Sequence, residues 1–359
     1  MTAPSVAEIL KQRIRVEGPL PVADYMSAAN AAYYSRGDAF GAAGDFVTAP
    51  DISQTFGELL GLWAAVTWQA MGEPYPFRLV ECGPGRGTLM RDLLRATERV
   101  AGFHAAADIH LIENSPSLRA TQAWALEGRE VVWHDRIDAV PAGPAIVIAN
   151  EFLDALPVRQ IERRPDGWRE RLIGLDPSEA LTFVVGPAAA VTIPSDVAAE
   201  AKAGDVFEIC DGALNWIRLV AARLVRHGGA ALIVDYGHKT TGLGETLQAV
   251  RRHTYHPVLD SPGEADLTAH VDFAALSAAA AAAGAKVYGP VEQGLWLRRL
   301  GIQVRQAQLC SGKPEAQARD IAAGVRRLIE PDGMGLLFKA LAIAHPALEV
   351  PEGFTQDGA

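Results

Sequence analysis

The sequence predicts an α/β protein built on a mostly parallel sheet with helices on both faces. Three observations predict it. From Phe77 onward, short apolar runs alternate with helix-length segments. The first of these runs leads directly into Gly83, Gly85 and Gly87 and then a helical pattern. Before residue 75, apolar residues recur at helical rather than strand spacing.

In chain order, Val6, Ile9, Leu10 and Ile14 define a first helix, and Pro19 and Pro21 punctuate it. The glycine-rich stretch from Tyr34 to Pro50 has no period and reads as a lid loop. Phe56, Leu59, Leu60, Trp63 and Val66 then mark one face of another helix, completing an N-terminal region over 1–75. Strands are expected at 78–82, 109–112, 131–133, 145–149, 230–234 and 336–343, within a domain covering 76–350. Two insertions interrupt it, near 156–205 and 238–270. The first opens with a hairpin turning at Pro165-Asp-Gly167. The alanine-rich run 274–283 is a crossover helix, and 351–359 reads as a disordered tail.

Composition narrows the function classes. The chain has 359 residues, 49% hydrophobic and 21% charged, which suits a folded protein with a substantial core. A net charge of −10 argues against nucleic-acid binding, which needs a basic surface. Three scattered cysteines with no CxxC spacing argue against a disulfide framework or structural zinc. No long apolar run suggests stable membrane insertion, and no secretion signal is apparent, so a cytoplasmic location is expected. A homodimer is compatible with all of this.

The strongest motif is Leu79-Val-Glu-Cys-Gly-Pro-Gly-Arg-Gly-Thr-Leu89. Glycines at a strand-to-helix bend let the backbone turn sharply and approach a ligand. A dinucleotide fingerprint places its third small residue three positions after the second glycine. Here Gly87 follows Gly85 by two, which weakens a nicotinamide reading. The arrangement resembles motif I of class I S-adenosylmethionine (SAM) methyltransferases, with Glu81 in its acidic position. Glu113, at the end of the next strand, stands where an acid grips ribose hydroxyls. Ser115 then Pro116 reads as an N-cap followed by a proline at the first helical position. Asp135, after the third strand, is a weaker candidate for the adenine end.

The fourth strand runs into Asn150-Glu-Phe-Leu-Asp154. Ligands of open α/β sheets lie beyond the carboxyl ends of strands, so Asn150, Glu151 and Asp154 are the candidate catalytic residues. A carboxylate there would offset repulsion between a cationic donor and a guanidinium, orient the acceptor nitrogen and take its proton. Glu151 is the first candidate and Asp154 the second; the alternative is a helix cap and an exposed acid. His253, His256, His270, Asp266 and Asp272 are crowded into residues 251–272, but their spacing matches no familiar metal site. No metal is expected.

Three segments, Gly44–Leu60, Glu81–Leu89 and Asn150–Val158, together resemble the MidA-type SAM-dependent methyltransferases. Asp235-Tyr-Gly237 and Gly263–Phe273 extend the likeness. The resemblance implies a class I, Rossmann-like fold and S-adenosyl-L-methionine as cofactor, held by Gly83, Gly85, Gly87, Glu81 and Glu113, with Thr48 and Pro50 covering it. It implies a bacterial relative of the mitochondrial complex I assembly factor, a protein arginine N-methyltransferase whose acceptor is a complex I core subunit. Asp45 and Phe46, with His256 and Asp266 of the insertion, would meet that protein substrate. Two other readings stay open: a SAM-binding assembly factor without essential turnover, and a methyltransferase with a small-molecule acceptor.

Overall fold

The computed structural model describes residues 4–35, 48–251 and 254–355. Asp45, Phe46 and His253 therefore lie outside the described residues, as does most of the expected lid loop. The chain forms two compact units. One comprises residues 1–46, 154–214 and 240–271, and the other 47–153, 215–239 and 272–359.

The second unit carries the sheet. Its strands are β1 (Phe77–Cys82), β2 (Ala107–Ile112), β3 (Val131–His134), β4 (Ala145–Asn150), β5 (Gly229–His238), β6 (Lys286–Glu292) and β7 (Phe338–Ala344). They lie in the order β3-β2-β1-β4-β5-β7-β6. β1 to β5 are mutually parallel, whereas β7 runs antiparallel to both β5 and β6. Every residue of β4 is buried, as expected of a central parallel strand covered on both faces. The strand order reverses between β1 and β4, which places a crevice beyond their carboxyl ends.

Helix Gln54–Ala70 belongs to this unit, so the boundary expected at residue 75 falls earlier. The reason is close packing against helix Thr88–Thr97. A Cβ on Gly57 would meet the Asp92 Cβ at 2.8 Å, and one on Gly61 would meet the Leu93 carbonyl oxygen at 2.7 Å. Two glycines four residues apart thus let the backbones approach. Phe56, Leu59, Leu60 and Trp63 are buried as expected, but Val66 is 41% exposed; the stripe continues through Ala64 and Trp68 instead. On the same helix, the Glu58 carboxylate is buried between Arg305 at 2.7 Å and Arg95 at 2.8 Å. Burial works to raise its pKa, but the two guanidiniums outweigh burial and hold it below the ordinary carboxylate value. Gly61→Val is expected to destabilise the protein by about 2–3 kcal/mol, because backbone must move to admit the side chain. Urea unfolding measures this, and an unchanged midpoint would contradict the close crossing.

Residues 351–355, expected to open a disordered tail, are instead ordered. Phe354 is buried and its ring centroid lies 6.1 Å from that of Trp296, so residues up to Thr355 are described as part of this unit.

The first unit joins the N-terminal helices Val6–Glu17 and Val22–Ser35 to both insertions. Ser5 and Glu8 close a capping box on the first helix. The expected hairpin is present as strands Arg159–Arg164 and Gly167–Leu175, extended by Leu181–Ala188 and Val206–Ile209. Leu20–Pro21 adds to this sheet, with Leu20 opposite Ile173. The second insertion is not merely turns: Gln248–Arg251, Thr254–His256 and Asp266–Thr268 form a small antiparallel sheet. Leu10, Tyr25, Met26, Val158, Ile173 and Leu267 share its core.

Candidate active site

The crevice at the switch point is framed by the turn after β1 and the turn after β4. Gly83, Gly85 and Gly87 have φ of 64°, 51° and 79°, the left-handed region where a side chain is strained. A Cβ on Gly83 would lie 2.9 Å from Phe152, so the two turns are in contact. Gly87 ends the loop and begins helix Thr88–Thr97.

Glu81 is 3% exposed at the end of β1, and its Oε2 has no hydrogen-bond partner among the described residues. Burial pushes its carboxyl up to about 8, against the opposing influence of the Met90 backbone N–H. A buried acid in that condition suits a cationic group. The Glu113 carboxylate, at the end of β2, accepts the Ser115 N–H at 2.8 Å and a Gln122 amide hydrogen at 3.1 Å. Burial raises its pKa, while these donors act to lower it. Ser115 caps helix Pro116–Ala125 as expected. Asp135 is solvent-exposed and ion-paired with Arg119 at 2.6 Å.

After β4, Glu151 adopts φ of 48°, rare for a residue with a side chain. Its Oε1 accepts the Ala49 N–H at 2.8 Å and the Asn150 side-chain amide at 3.1 Å. Asp235 of β5 is fully buried and supports the same turn, accepting the backbone N–H groups of Phe152 at 3.2 Å and Leu153 at 2.9 Å. The short helix Ala49–Ile52 ties both turns together. Asp51 accepts the hydroxyls of Thr48 at 3.2 Å and Thr88 at 3.1 Å, and Pro50 is buried. A cleft of about 330 Å³ opens beside the loop, lined by Pro50, Asp51, Arg86, Thr88 and Trp124 among others, but not by Glu113 or Glu151.

Asp154 and Asp266 belong to the first unit, where both are buried. The Tyr34 hydroxyl donates to Asp266, at 2.9 Å from Oδ1. Desolvation first, then the charges of Asp266 and Asp154, hold the Tyr34 phenol well above its ordinary pKa. His256 is engaged locally, with Nε2 3.1 Å from the Asp260 carbonyl. Among the described residues, no group of three His, Cys, Asp or Glu side chains could hold a metal, and no helix is long and apolar enough to cross a membrane.

Asp51 and Asp235 lie in segments that carry the family resemblance, but neither was assigned a role, and Gln122 was missed altogether. Its usable signal was a polar residue four positions after Leu118 on the buried face of an amphipathic helix.

A family model described as "Putative S-adenosyl-L-methionine-dependent methyltransferase" matches residues 59–291. The protein arginine methyltransferase NDUFAF7, mitochondrial, of Xenopus laevis is 38% identical, with 92% of this chain and 82% of that protein covered. The human protein of the same name is 37% identical, with coverage of 93% and 82%. A crystal structure of a Burkholderia thailandensis protein bound to S-adenosyl-homocysteine superposes with a TM-score of 0.85 at 29% identity, covering all of both chains. The mitochondrial relatives overturn the cytoplasmic location expected from the sequence; lack of a recognisable signal was too weak a basis for it. The fold is the class I, Rossmann-like one that the glycine loop implied. The chain belongs to the MidA-type family of S-adenosylmethionine-dependent methyltransferases.

Proposed function

We propose that this enzyme methylates an arginine of a protein, and that the acceptor is a core subunit of respiratory complex I whose assembly it supports. The observation that carries the reading is the placement of Glu151. An oriented carboxylate stands at the switch point, on a turn that touches the glycine loop. The names of the relatives, protein arginine methyltransferases of 36–38% identity, support the acceptor class. The subunit rests on family resemblance alone.

In this reading Glu81 receives the ammonium of the cofactor, Glu113 the ribose hydroxyls, and Gly83, Gly85 and Gly87 leave room for its backbone-like portion. Thr48 and Pro50 cover it, and Asp135 stands toward the adenine. The cofactor supplies an electrophilic methyl on a sulfonium. Glu151 would orient the guanidinium, offset its positive charge and accept the proton that the nitrogen loses on gaining the methyl, whose bond to sulfur breaks to leave neutral S-adenosylhomocysteine. Asn150 fixes the Glu151 carboxylate.

The acid at Glu81 gives a pH test. Its folded pKa lies above the unfolded value, so the free protein loses stability as pH rises from the ordinary carboxylate range to about 8. A ligand ammonium reverses the preference. Binding of S-adenosylhomocysteine at pH 7 is expected to release about one proton. Calorimetry in buffers of different ionisation enthalpy measures it, and no buffer dependence would remove Glu81 from the ammonium site.

The function itself is tested by incubating the purified protein with labelled SAM and complex I intermediates from cells lacking the gene, then mapping methylarginines by mass spectrometry. A methylated core-subunit arginine is expected. Label confined to small molecules would replace the acceptor class, and no label despite tight cofactor binding would favour an assembly factor without turnover.

A further inference from the structure

We propose that Gln122 is a positioning residue for the cofactor: its side-chain amide sets the carboxylate of Glu113 and the carbonyl of Gly85 in one fixed relation. The inference rests on the reading that Glu113 holds the ribose.

Gln122 is fully buried on helix Pro116–Ala125. Its Nε2 donates to the Gly85 carbonyl at 2.8 Å and to Glu113 Oε2 at 3.1 Å. Its Oε1 accepts the Trp133 indole N–H at 2.9 Å. These partners leave the amide a single orientation, because a carbonyl and a carboxylate only accept and an indole N–H only donates. A flipped amide would set oxygen against two oxygens and nitrogen against a donor. Trp133 therefore acts as a key that holds the amide hydrogens toward the glycine loop and the acid.

The consequence is geometric. One side chain bridges the loop after β1, the end of β2 and the side chain of β3, the three elements that a nucleoside spans in this reading. The helix that carries Gln122 also presses on the loop. A Cβ on Gly87 would meet Ala125 Cβ at 3.4 Å and Gln122 Cα at 3.5 Å. With Ser115 fixing Oε1 and Gln122 fixing Oε2, the carboxylate plane is held before any ligand arrives. Such preorganisation raises affinity by sparing the ordering of the acid on binding.

The test is a double-mutant cycle read as the dissociation constant of S-adenosylhomocysteine by calorimetry, not as activity. Glu113→Gln should weaken binding by about 30-fold and Gln122→Leu by about tenfold, the range for losing one hydrogen bond to a charged group. Because Gln122 acts through Glu113, the double variant should bind within about twofold of Glu113→Gln alone. Gln122→Leu should also move the pH below which binding weakens upward, since Glu113 loses a donor to its charged form. If Gln122→Leu does not fold, Trp133→Phe takes its place in the cycle. It leaves Gln122 in place but removes the key, and should weaken binding about threefold only while Glu113 is present. Wild-type affinity in both the Gln122 and Trp133 variants, or losses that multiply with that of Glu113→Gln, would overturn the proposal. Wild-type affinity in Glu113→Gln would instead remove Glu113 from the ribose site and the proposal with it.

Discussion

Gly85→Val is expected to abolish binding of S-adenosylhomocysteine, with affinity falling by more than about 100-fold, in a protein that still folds. Gly85 has φ of 51°, and a β-branched residue held there is strained by about 1–3 kcal/mol. The strain is relieved only if the loop moves. Movement is not local, because the Gly85 carbonyl is bonded to Gln122, which also holds Glu113. The substitution should therefore disturb both the loop and the acid proposed to hold the ribose, while a branched side chain fills space beside the bound ligand. Melting temperature and circular dichroism establish that the fold persists, and calorimetry reads the affinity. Binding at wild-type strength would show that the cofactor does not lie against this bend. Gly85→Ala has no branch and should lose less.

The loop was legible because its chemistry is written in consecutive residues. Left-handed φ at Gly83, Gly85 and Gly87 is the reason for the glycines, and Ser115 with Pro116 marks a helix start by its own capping. The buried strands announced themselves as continuous apolar runs. β6 did not, since Gly289-Pro290 interrupts it and its pairing slips between Tyr288 and Val291. The first helix and the hairpin of the first unit were legible, but the way its segments assemble was not, for a different reason. Its sheet pairs Leu20 with Ile173, and its core joins Met26 to Leu267, partners whose choice leaves no periodic trace in either segment. Supporting residues of the site were hidden likewise. Asp235 acts on Leu153 and Asp51 on Thr88, contacts that exist only once β4, β5 and the glycine loop share one edge. Glu151 follows directly on the apolar run of β4, which is the signal that drew it out of the sequence, but its left-handed backbone and its bond to Ala49 were not foreseeable.

Glu151→Gln should separate that structural bond from the proposed chemistry. Glutamine keeps the size of glutamate and a carbonyl oxygen that can still accept the Ala49 N–H and the Asn150 amide. The Ala49–Ile52 segment should stay in place, and affinity for S-adenosylhomocysteine should remain within about threefold of wild type. What glutamine lacks is the negative charge and the capacity to take a proton. If Glu151 orients and deprotonates a guanidinium, turnover should fall by about 100- to 10,000-fold, the usual worth of a positioned general base. The loss should appear in kcat as well as in kcat/KM, since the missing interaction is strongest as the proton leaves. Glu151→Ala adds a second defect, because it strips the Ala49 N–H of its acceptor, and should weaken ligand binding as well as turnover. Full activity in the glutamine variant, with activity lost only on replacement by alanine, would make Glu151 a clamp for the Ala49 segment and remove it as the base.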